Sequence, residues 1–371
     1  GRDHWNRFAG TDNPLVGYDF LEALEASGSV CRDTGWQPCH LTFYLDGHWI
    51  GVAPAYRKFH SMGEYVFDWA WADAWQRHGL PYYPKLVVAI PFTPCQGPRL
   101  MIPGPARADL APEQLHQALD HLMAREGLHS WHLLFPDSDD QALLASPTAL
   151  HRHGCQFHWF NRGYQSFDDF LAQLTSRKRK SIRKERRQVA EQGITFEHWS
   201  GDALPDDVLD DFFLFYNATY LKRGMQPYLN RTFFHRLAQR LGKGLRIITA
   251  LREGQRIAAA LFIVGEDCLF GRYWGCLDDY NHLHFETCYY QGIDLAIHEG
   301  LARFDAGAQG EHKLVRGFEP VTTHGTTWRT RVSGTPWPTS ARRKRRMWPA
   351  TTMRHWRPCP TGSRAREAPG H

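Results

Sequence analysis

The residues best suited to chemistry lie in one segment, Phe304–Pro320, directly behind a short apolar stretch. This segment combines Glu311, His312, Lys313 and Arg316 with three glycines. Glycine loses backbone entropy and offers no packing surface, so a regular helix or strand would not favour this composition. Carboxylate and imidazole groups exchange protons, and ammonium and guanidinium groups bind anions. A polar loop of this kind behind a strand is typical of a functional site.

A second candidate site is a strongly basic stretch that is predicted to be a helix over Ser176–Gln192. Between Arg177 and Arg187 it carries eight cations and one acid, Glu185, which has no cation three or four residues away. Like charges at these spacings destabilise the helix by about 1–3 kcal/mol in total at low salt. A bound polyanion would offset this repulsion, whether coenzyme A phosphates, a tRNA backbone or a lipid-linked pyrophosphate. The alternative is a solvated helix face. The predicted anion-binding residues are Arg177, Lys178, Arg179, Lys180, Arg183, Lys184 and Arg187.

Two aromatic segments supply further candidate ligand contacts. In Gly271–Gly275, glycines flank a basic and two aromatic residues, so a flat ligand or another backbone can approach closely. In Lys58–Trp69, three polar residues recur every four positions and would share one helix face, which predicts the wall of an aromatic cleft. The alternative for both segments is packing in the core. The candidate residues are Arg272, Tyr273, Trp274, His60, Glu64 and Asp68.

The elements that must position these residues form two halves with a similar order: a meander of strands, a helix and a further strand. The first half contains a hairpin around Asp46-Gly47. The second half contains the basic helix, a meander from Leu245 to Cys276 and a helix over Phe285–Glu299. No clear sequence repeat accompanies this order, so duplication is a hypothesis. Other predicted elements are helices over Glu64–Arg77 and Asp140–His151 and strands over Arg99–Ile102, Gln156–Phe160 and Leu301–Ala306.

The composition describes a mildly acidic body and a basic end. The 371 residues, 42% of them hydrophobic, leave room for two domains with full cores. Positions 325–371 hold 11 of the 44 Lys and Arg residues and one of the 39 acids, so the body has 33 basic and 38 acidic residues. This basic end is either an unstructured tail or an arm that binds nucleic acid or membrane.

The remaining composition points to a cytoplasmic protein. Eight cysteines occur without any CxxC pair, which favours buried thiols over a disulfide framework. The sequence shows neither a signal peptide nor an apolar run long enough to span a membrane. The spacing of histidine and cysteine in His151–Cys155 fits no familiar metal site, so no metal is predicted.

Several blocks of the chain resemble a bacterial Fem-like family of predicted N-acyltransferases, often labelled peptidoglycan-biosynthesis-like. The similarity extends over roughly residues 1–324. The order of a basic helix, meander, helix, Gly300, strand, glycine loop and Gly317-Phe318 is similar to the second half of Fem-type aminoacyltransferases. The matching blocks are His60–Trp71, Tyr82–Leu100, Ser176–Arg187, Gly271–Cys276 and Phe304–Thr323.

The resemblance implies an α/β (α+β) fold of two tandem GNAT-like domains, each a mixed central sheet flanked by helices. The predicted boundaries are 1–162 and 163–324, with a disordered or aberrant tail over 325–371. Fem-type relatives transfer an amino acid from aminoacyl-tRNA to an amine of a peptidoglycan precursor, and other GNAT enzymes use acyl-CoA. The glycine-rich pyrophosphate loop of acetyl-CoA-dependent relatives has no convincing counterpart here.

The function implied is therefore N-acyl or aminoacyl transfer to a small-molecule or peptide amine, with acyl-CoA or aminoacyl-tRNA as co-substrate and no tightly bound cofactor. Such transfer needs a neutral amine and stabilisation of a developing oxyanion. We expect Glu311 or His312 to accept the proton. Lys313 and Arg316 would hold a carboxylate or phosphate, and the basic helix would hold the donor's polyanion. The alternative is a non-enzymatic RNA- or envelope-associated binding protein on the same scaffold.

Overall fold

In the described part of the chain, a mixed sheet of eleven strands runs through both halves and is flanked by helices. The computed structural model describes residues 1–66, 68–146, 149–308 and 310–329. The strands are β1 (Trp36–Pro38), β2 (Leu41–Leu45), β3 (His48–Ala53), β4 (Ala55–Lys58), β5 (Lys85–Val88), β6 (Ser130–Leu134), β7 (Leu150–Phe160), β8 (Ile194–Ser200), β9 (Leu245–Arg252), β10 (Gln255–Val264), β11 (Cys268–Cys276), β12 (Arg303–Asp305) and β13 (Glu319–Arg329). Strands β2 and β3 form a separate hairpin.

The order of the large sheet is β1-β4-β5-β6-β13-β7-β12-β11-β10-β9-β8. Each half has one parallel pair, β5 with β6 and β11 with β12. The last strand of each half pairs across to the other half: β7 lies beside β12, and β13 lies beside β6. The two exchanged strands also pair with each other in antiparallel register. This reciprocal exchange joins the halves through backbone hydrogen bonds.

Helices cover both faces of the sheet. They are α1 (Arg2–Ala9), α2 (Tyr18–Ala26), α3 (Trp69–Arg77), α4 (Gly104–Ala108), α5 (Pro112–Arg125), α6 (Ser138–Leu143), α7 (Phe167–Ala172), α8 (Ser176–Glu191), α9 (Asp206–Leu221), α10 (Arg231–Leu241), α11 (Leu283–Phe285) and α12 (Gln291–His298). A π-helical turn, Glu286–Tyr290, joins α11 to α12. Short 3₁₀ turns occur at Gly201–Ala203, Gly242–Gly244 and Glu311–Arg316.

The largest core joins the two halves. It contains Phe20 from α2, Tyr56 from β4, Phe212 from α9 and Phe233 from α10, together with β-strand residues of both halves such as Leu261. A second core lies under α7, α8 and α12, and a third lies under α5. Burial of apolar surface thus holds the exchanged sheet together from both faces.

The predicted α/β class, with two similar halves and a mixed sheet flanked by helices, is confirmed. The hairpin around Asp46-Gly47, the meander β9–β11 and the basic helix α8 also form as predicted. The predicted helix over Glu64–Arg77 begins only at Trp69, since Gly63 and Tyr65 have positive φ and interrupt it. The predicted Asp140–His151 helix was wrong in extent, because α6 ends at Leu143 and β7 begins at Leu150. Instead of a strand over Arg99–Ile102 there is an isolated bridge at Met101.

The last strand reaches into the segment that was predicted to be a tail. Residues Gly325–Arg329 of β13 pair with Leu134–Ser130 of β6, so the sheet continues beyond residue 324. The remainder of the predicted tail, 330–371, lies outside the described residues. Among the described helices, none is both long and apolar enough to cross a bilayer.

Candidate active site

The candidate active site lies where the parallel strands β11 and β12 separate. They pair only from Cys268–Phe270 on β11 with Arg303–Asp305 on β12, while β11 continues to Cys276. A bulge follows on β11. The adjacent β10 residues Leu261 and Phe262 pair with Tyr273 and Gly271, so Arg272 between them is the extra residue. Bulges re-aim side chains and are common beside active sites. Here the bulge turns Arg272 towards the end of β12.

The polar segment behind β12 closes this seam; we call Ala306–Phe318 the closing loop. Its start is fixed by the Gly307 amide, which donates to Asp305 Oδ1 at 2.9 Å. Its second part is the 3₁₀ turn Glu311–Arg316. Gly310 and Gly317 flank that turn with φ of 108° and 87°, a region that other residues rarely adopt. The glycines are therefore needed for the turn.

Lys313 is the more deeply buried of the two buried cations among the described residues of the closing loop. Its side chain lies inside the protein, with the residue 1% exposed, and its Nζ donates to the carbonyl oxygen of Gly307 at 2.5 Å. Burial lowers the pKa of Lys313 to about 8, against the attraction of Asp305. At neutral pH it is still mostly protonated. The site therefore holds an ammonium group with little water around it.

Asp305 balances the positive charge at the end of β12. Burial by itself raises its pKa, but His158 and Arg272 outweigh this and hold the pKa of Asp305 below its usual value. His158 Nε2 lies 3.8 Å from Asp305 Oδ1. Arg272 donates from Nη1 to Cys95 Sγ at 2.9 Å. The seam is thus lined by two cations and one carboxylate.

The two proposed proton acceptors differ in how firmly they are held. His312 Nε2 lies 2.9 Å from the hydroxyl of Tyr289, a residue of the π-helical turn, and π turns are frequent at functional sites. Burial, together with the nearby cations Lys313 and Arg316, lowers the pKa of His312 to about 4, so its ring is neutral at pH 7. Glu311 and His312 are both exposed to solvent, so the difference is that the His312 ring has a hydrogen-bond partner in Tyr289.

The sequence suggested that Arg316 holds a carboxylate or phosphate of a ligand. In the structure its guanidinium is instead occupied by a carboxylate of the protein. Its guanidinium forms a two-point ion pair with Glu185 of α8, at 3.1 and 3.0 Å, and stacks over the Phe285 ring. The hydroxyl of Tyr290 also donates to Glu185. Glu185 was missed as a structural residue because it has no partner on its own helix. The signal available was a single acid in an otherwise cationic run.

The aromatic residues beside Arg272 pack into the protein. The Tyr273 ring makes edge contacts with Phe234 and Tyr216 in the main core. The Trp274 ring lies 5.4 Å from His284. Of this predicted group, Arg272 alone reaches the seam; the two rings support the strand.

Helix α8 divides its cations between two faces. Lys178 donates to the Leu314 carbonyl of the closing loop at 2.9 Å, and Arg179 donates to the carbonyls that end α7. Arg186, outside the predicted set, pairs with Glu286 and Asp294. These three cations attach the helix to the protein.

The opposite face of α8 carries a line of exposed cations, which we call the cationic stripe: Arg177, Lys180, Lys184 and Arg187. Arg187 has one partner, Glu191, at 3.5 Å. The neighbouring Arg183 pairs with Asp168 at 2.9 Å. The other three residues of the stripe, Arg177, Lys180 and Lys184, have no ion pair among the described residues. At 1.5 Å per residue the stripe extends over about 15 Å.

The first-half candidates do not share a helix face, but two of them meet around a buried lysine. Lys85 Nζ donates to Glu64 Oε2 at 2.9 Å and to Asp68 Oδ2 at 2.6 Å. His60 lies apart, its ring against Gly35 and its Nδ1 accepting from the Met62 amide. Lys85 and Arg152, which also approaches Asp68, were not among the predicted site residues. A cation on a strand gives no periodic signal by itself.

Among the described residues there is no group of histidine, cysteine and acidic side chains arranged to hold a metal ion. An open cavity of about 630 Å³ lies on another side of the closing loop, lined by residues that include Phe160, Tyr164, Phe170, Gly317 and Glu319. The candidate residues of the second half thus lie at three places: the seam, the closing loop and the cationic stripe.

Comparison with known proteins places this arrangement in context. A family model described as FemAB-like, peptidoglycan biosynthesis/recognition, matches residues 1–333. The crystal structure of FemX is similar with a TM-score of 0.56 and 12% identity, covering 88% of this chain and 95% of that one. The structure of L-PGS from Bacillus licheniformis is similar with a TM-score of 0.52 and 13% identity, covering 89% of this chain and 95% of that one. A conserved protein of unknown function from Bacteroides thetaiotaomicron is similar with a TM-score of 0.51 and 11% identity, covering 89% of this chain and 96% of that one. No curated protein sequence matches the chain.

Proposed function

The chain belongs to the FemAB-like family of peptidoglycan biosynthesis and recognition, a family of acyl- and aminoacyltransferases, and from this premise we propose that it moves an acyl or aminoacyl group from a polyanionic donor to an amine. The observation that carries the proposal is the buried ammonium of Lys313 where β11 and β12 separate. In keeping with the family, the acceptor is an amine of a peptidoglycan precursor.

Lys313 supports this reaction through its charge. Attack of an amine on an ester or thioester carbonyl places negative charge on the carbonyl oxygen, and a cation fixed in a water-poor site stabilises that charge strongly. One N–H of Lys313 is used by Gly307. The described residues provide no other hydrogen-bond acceptor for this ammonium, and we assign its remaining N–H groups to the oxyanion. Arg272, on the opposite strand, adds positive potential to the same seam.

The proton of the attacking amine needs an acceptor near the closing loop. His312 is neutral above pH about 4 and is oriented by Tyr289, so it is the acceptor that we favour. Its low pKa also makes it a weak base, so it must pass the proton on. The exposed Glu311 is the adjacent carboxylate that can receive it. The new C–N bond replaces the donor's C–O or C–S bond, and the proton ends on the leaving group.

The cationic stripe suits a donor with several phosphates. Its charges are spread over about 15 Å along one helix face, whereas a single pyrophosphate would need a compact cradle. The helix also touches the closing loop through the contact of Lys178 with Leu314. A charged tRNA fits this distribution better than an acyl-CoA, and we therefore propose aminoacyl-tRNA as the donor.

The proposal is tested by incubating the full chain with amine acceptors and either charged tRNA or acyl-CoA, followed by mass analysis of the acceptor. We expect an acylated amine with charged tRNA, and loss of the product in Lys313→Met. Product from acyl-CoA alone would replace the donor assignment. Salt-sensitive tRNA binding without turnover of either donor would identify a binding protein and overturn the proposal.

A further inference from the structure

The buried cluster of the first half contains charged groups whose hydrogen bonds are incomplete. It lies between one face of the sheet and the segment that leads into α3. Lys85 is fully used, because its Nζ contacts Ser61, Glu64 and Asp68. Within the described part of the chain, however, Glu64 Oε1 and Asp68 Oδ1 have no hydrogen-bond partner. Both carboxylates are completely buried.

Arg152 carries the unpaired hydrogen-bond donors of this cluster. Its side chain is 10% exposed, and its Nε, Nη1 and Nη2 atoms all lack a hydrogen-bond partner among the described residues. One face of the guanidinium lies 3.9 Å from the Trp71 ring. Its Nη2 is 3.9 Å from Asp68 Oδ2, which is an electrostatic contact too long for a hydrogen bond. The edge of the guanidinium, where its N–H groups point, is thus unused.

The cluster also contains the buried Lys58, which attracts Glu64 and Asp68, and the Tyr82 hydroxyl, which donates to Asp68 Oδ2, but these groups leave the same atoms without a hydrogen bond. Unmade hydrogen bonds on buried charged groups are strongly unfavourable, so clusters kept for stability pair their members. Here the unpaired donors belong to Arg152 and the unpaired acceptors to Glu64 and Asp68, and Arg152 lies 3.9 Å from the other oxygen of Asp68. A ligand that completes the cluster must therefore offer both an anion to Arg152 and a cation to the carboxylates.

We propose that this cluster binds the head group of an α-amino acid, with its carboxylate on the edge of Arg152 and its ammonium between Glu64 Oε1 and Asp68 Oδ1. A planar carboxylate matches the two-pronged guanidinium edge, and Trp71 holds that edge in place. An ammonium carries the donors that the two oxygens need. The site lies in the first half, apart from the seam of the second half. It goes beyond the proposed transfer reaction, which does not require it.

The test is calorimetric titration of the wild-type chain with glycine, L-alanine and L-lysine, and then with analogues of the tightest binder that lack one charge. The N-acetyl form removes the ammonium, and the carboxamide form removes the carboxylate. We expect each analogue to bind about tenfold or more weakly than the parent, since each loses charge-assisted hydrogen bonds. Equal binding of parent and analogues, or no saturable binding of any of the three, would overturn the proposal.

Two variants connect the binding to this cluster. Arg152→Lys keeps the charge but loses the fork, and we expect about tenfold weaker binding. The exposed Arg125→Lys is the matched control and leaves binding unchanged. Lys313→Met separates the two sites: it lowers transfer by about 10²–10³-fold but keeps amino-acid binding. Unchanged affinity in a folded Arg152→Lys protein would exclude this site even if the chain binds amino acids elsewhere.

Discussion

Lys313 and Gly307 fix the closing loop to itself, because the lysine ammonium donates to the glycine carbonyl across the loop at 2.5 Å. This contact brings a cation from the 3₁₀ turn back to the end of β12, beside Asp305. A loop of polar residues thereby becomes a site with a defined charge at a defined place.

Replacement of Lys313 tests the oxyanion role. We expect Lys313→Met to reduce kcat/KM by about 10²–10³, as for the loss of a single oxyanion donor. In the wild type, activity requires the protonated lysine, whose pKa is about 8, so the cation is present below that pH and lost above it. Lys313→Arg stays charged throughout. The ratio of wild-type to Lys313→Arg rates should therefore fall above pH 8, and a constant ratio would contradict the role. The acceptor amine ionises in the same way in both reactions, so its own effect on the pH dependence cancels in the ratio.

The role of His312 as proton acceptor is tested by how the reaction rate falls at acid pH. Because burial and the nearby cations lower its pKa to about 4, the neutral acceptor form is present above that pH and lost below it. We expect His312→Gln to lower kcat by about 10²-fold. The exposed His78→Gln serves as control. If both His312→Gln and Glu311→Gln retain full activity, neither residue accepts the proton.

The ion pair between Arg316 and Glu185 is expected to contribute to stability. Both side chains are largely buried, with 6% and 12% exposure. Glu185→Gln leaves the guanidinium without a counter-charge, and we expect a loss of about 3–5 kcal/mol in the free energy of unfolding. Glu191→Gln disturbs the exposed pair with Arg187, where the side chains are 68% and 63% exposed, and should change stability by less than about 1 kcal/mol. Urea denaturation measures both; equal effects would contradict the buried pair.

Gly317 is expected to be required for the end of the 3₁₀ turn. A Cβ at this position would lie 2.6 Å from the Phe170 ring, and the φ of 87° is already unfavourable for alanine. Gly163 has the same φ of 87° but nothing within 4 Å of its Cβ position. We expect Gly163→Ala to destabilise by about 1 kcal/mol and Gly317→Ala by about 1–3 kcal/mol more. Similar melting temperatures for the two variants would show that the loop absorbs the clash.

The cationic stripe should determine how tRNA binding depends on salt. Each phosphate contact that is removed lowers the slope of log K against log salt by about 0.7–0.9. We therefore expect Lys180→Ala with Lys184→Ala to reduce the slope by about 1–2 and to weaken binding at low salt. Arg125→Ala, an exposed cation on α5, is the control. An unchanged slope in the double variant would place the donor elsewhere.

The sequence by itself determined the types of most elements. Turn residues and apolar spacing were sufficient for the β2–β3 hairpin, the β9–β11 meander and the basic helix, because these features depend on neighbours along the chain. The same is true of the closing loop, whose glycines and charges are local in sequence. Helix α3 was predicted too long because hydrophobic spacing does not reveal positive φ at Tyr65.

Only the tertiary structure decided which of these residues meet. The exchange of β7 and β13 pairs residues more than a hundred positions apart, and no local pattern specifies such partners. In the same way, the partner of Glu185 is Arg316 rather than a cation of its own helix, and Glu64 and Asp68 converge on Lys85 from an irregular segment. The physical reason is that a buried charge must find its counter-charge in space, and burial is a property of the folded chain. The sequence therefore located the groups that can do chemistry, while the fold selected those that stand together.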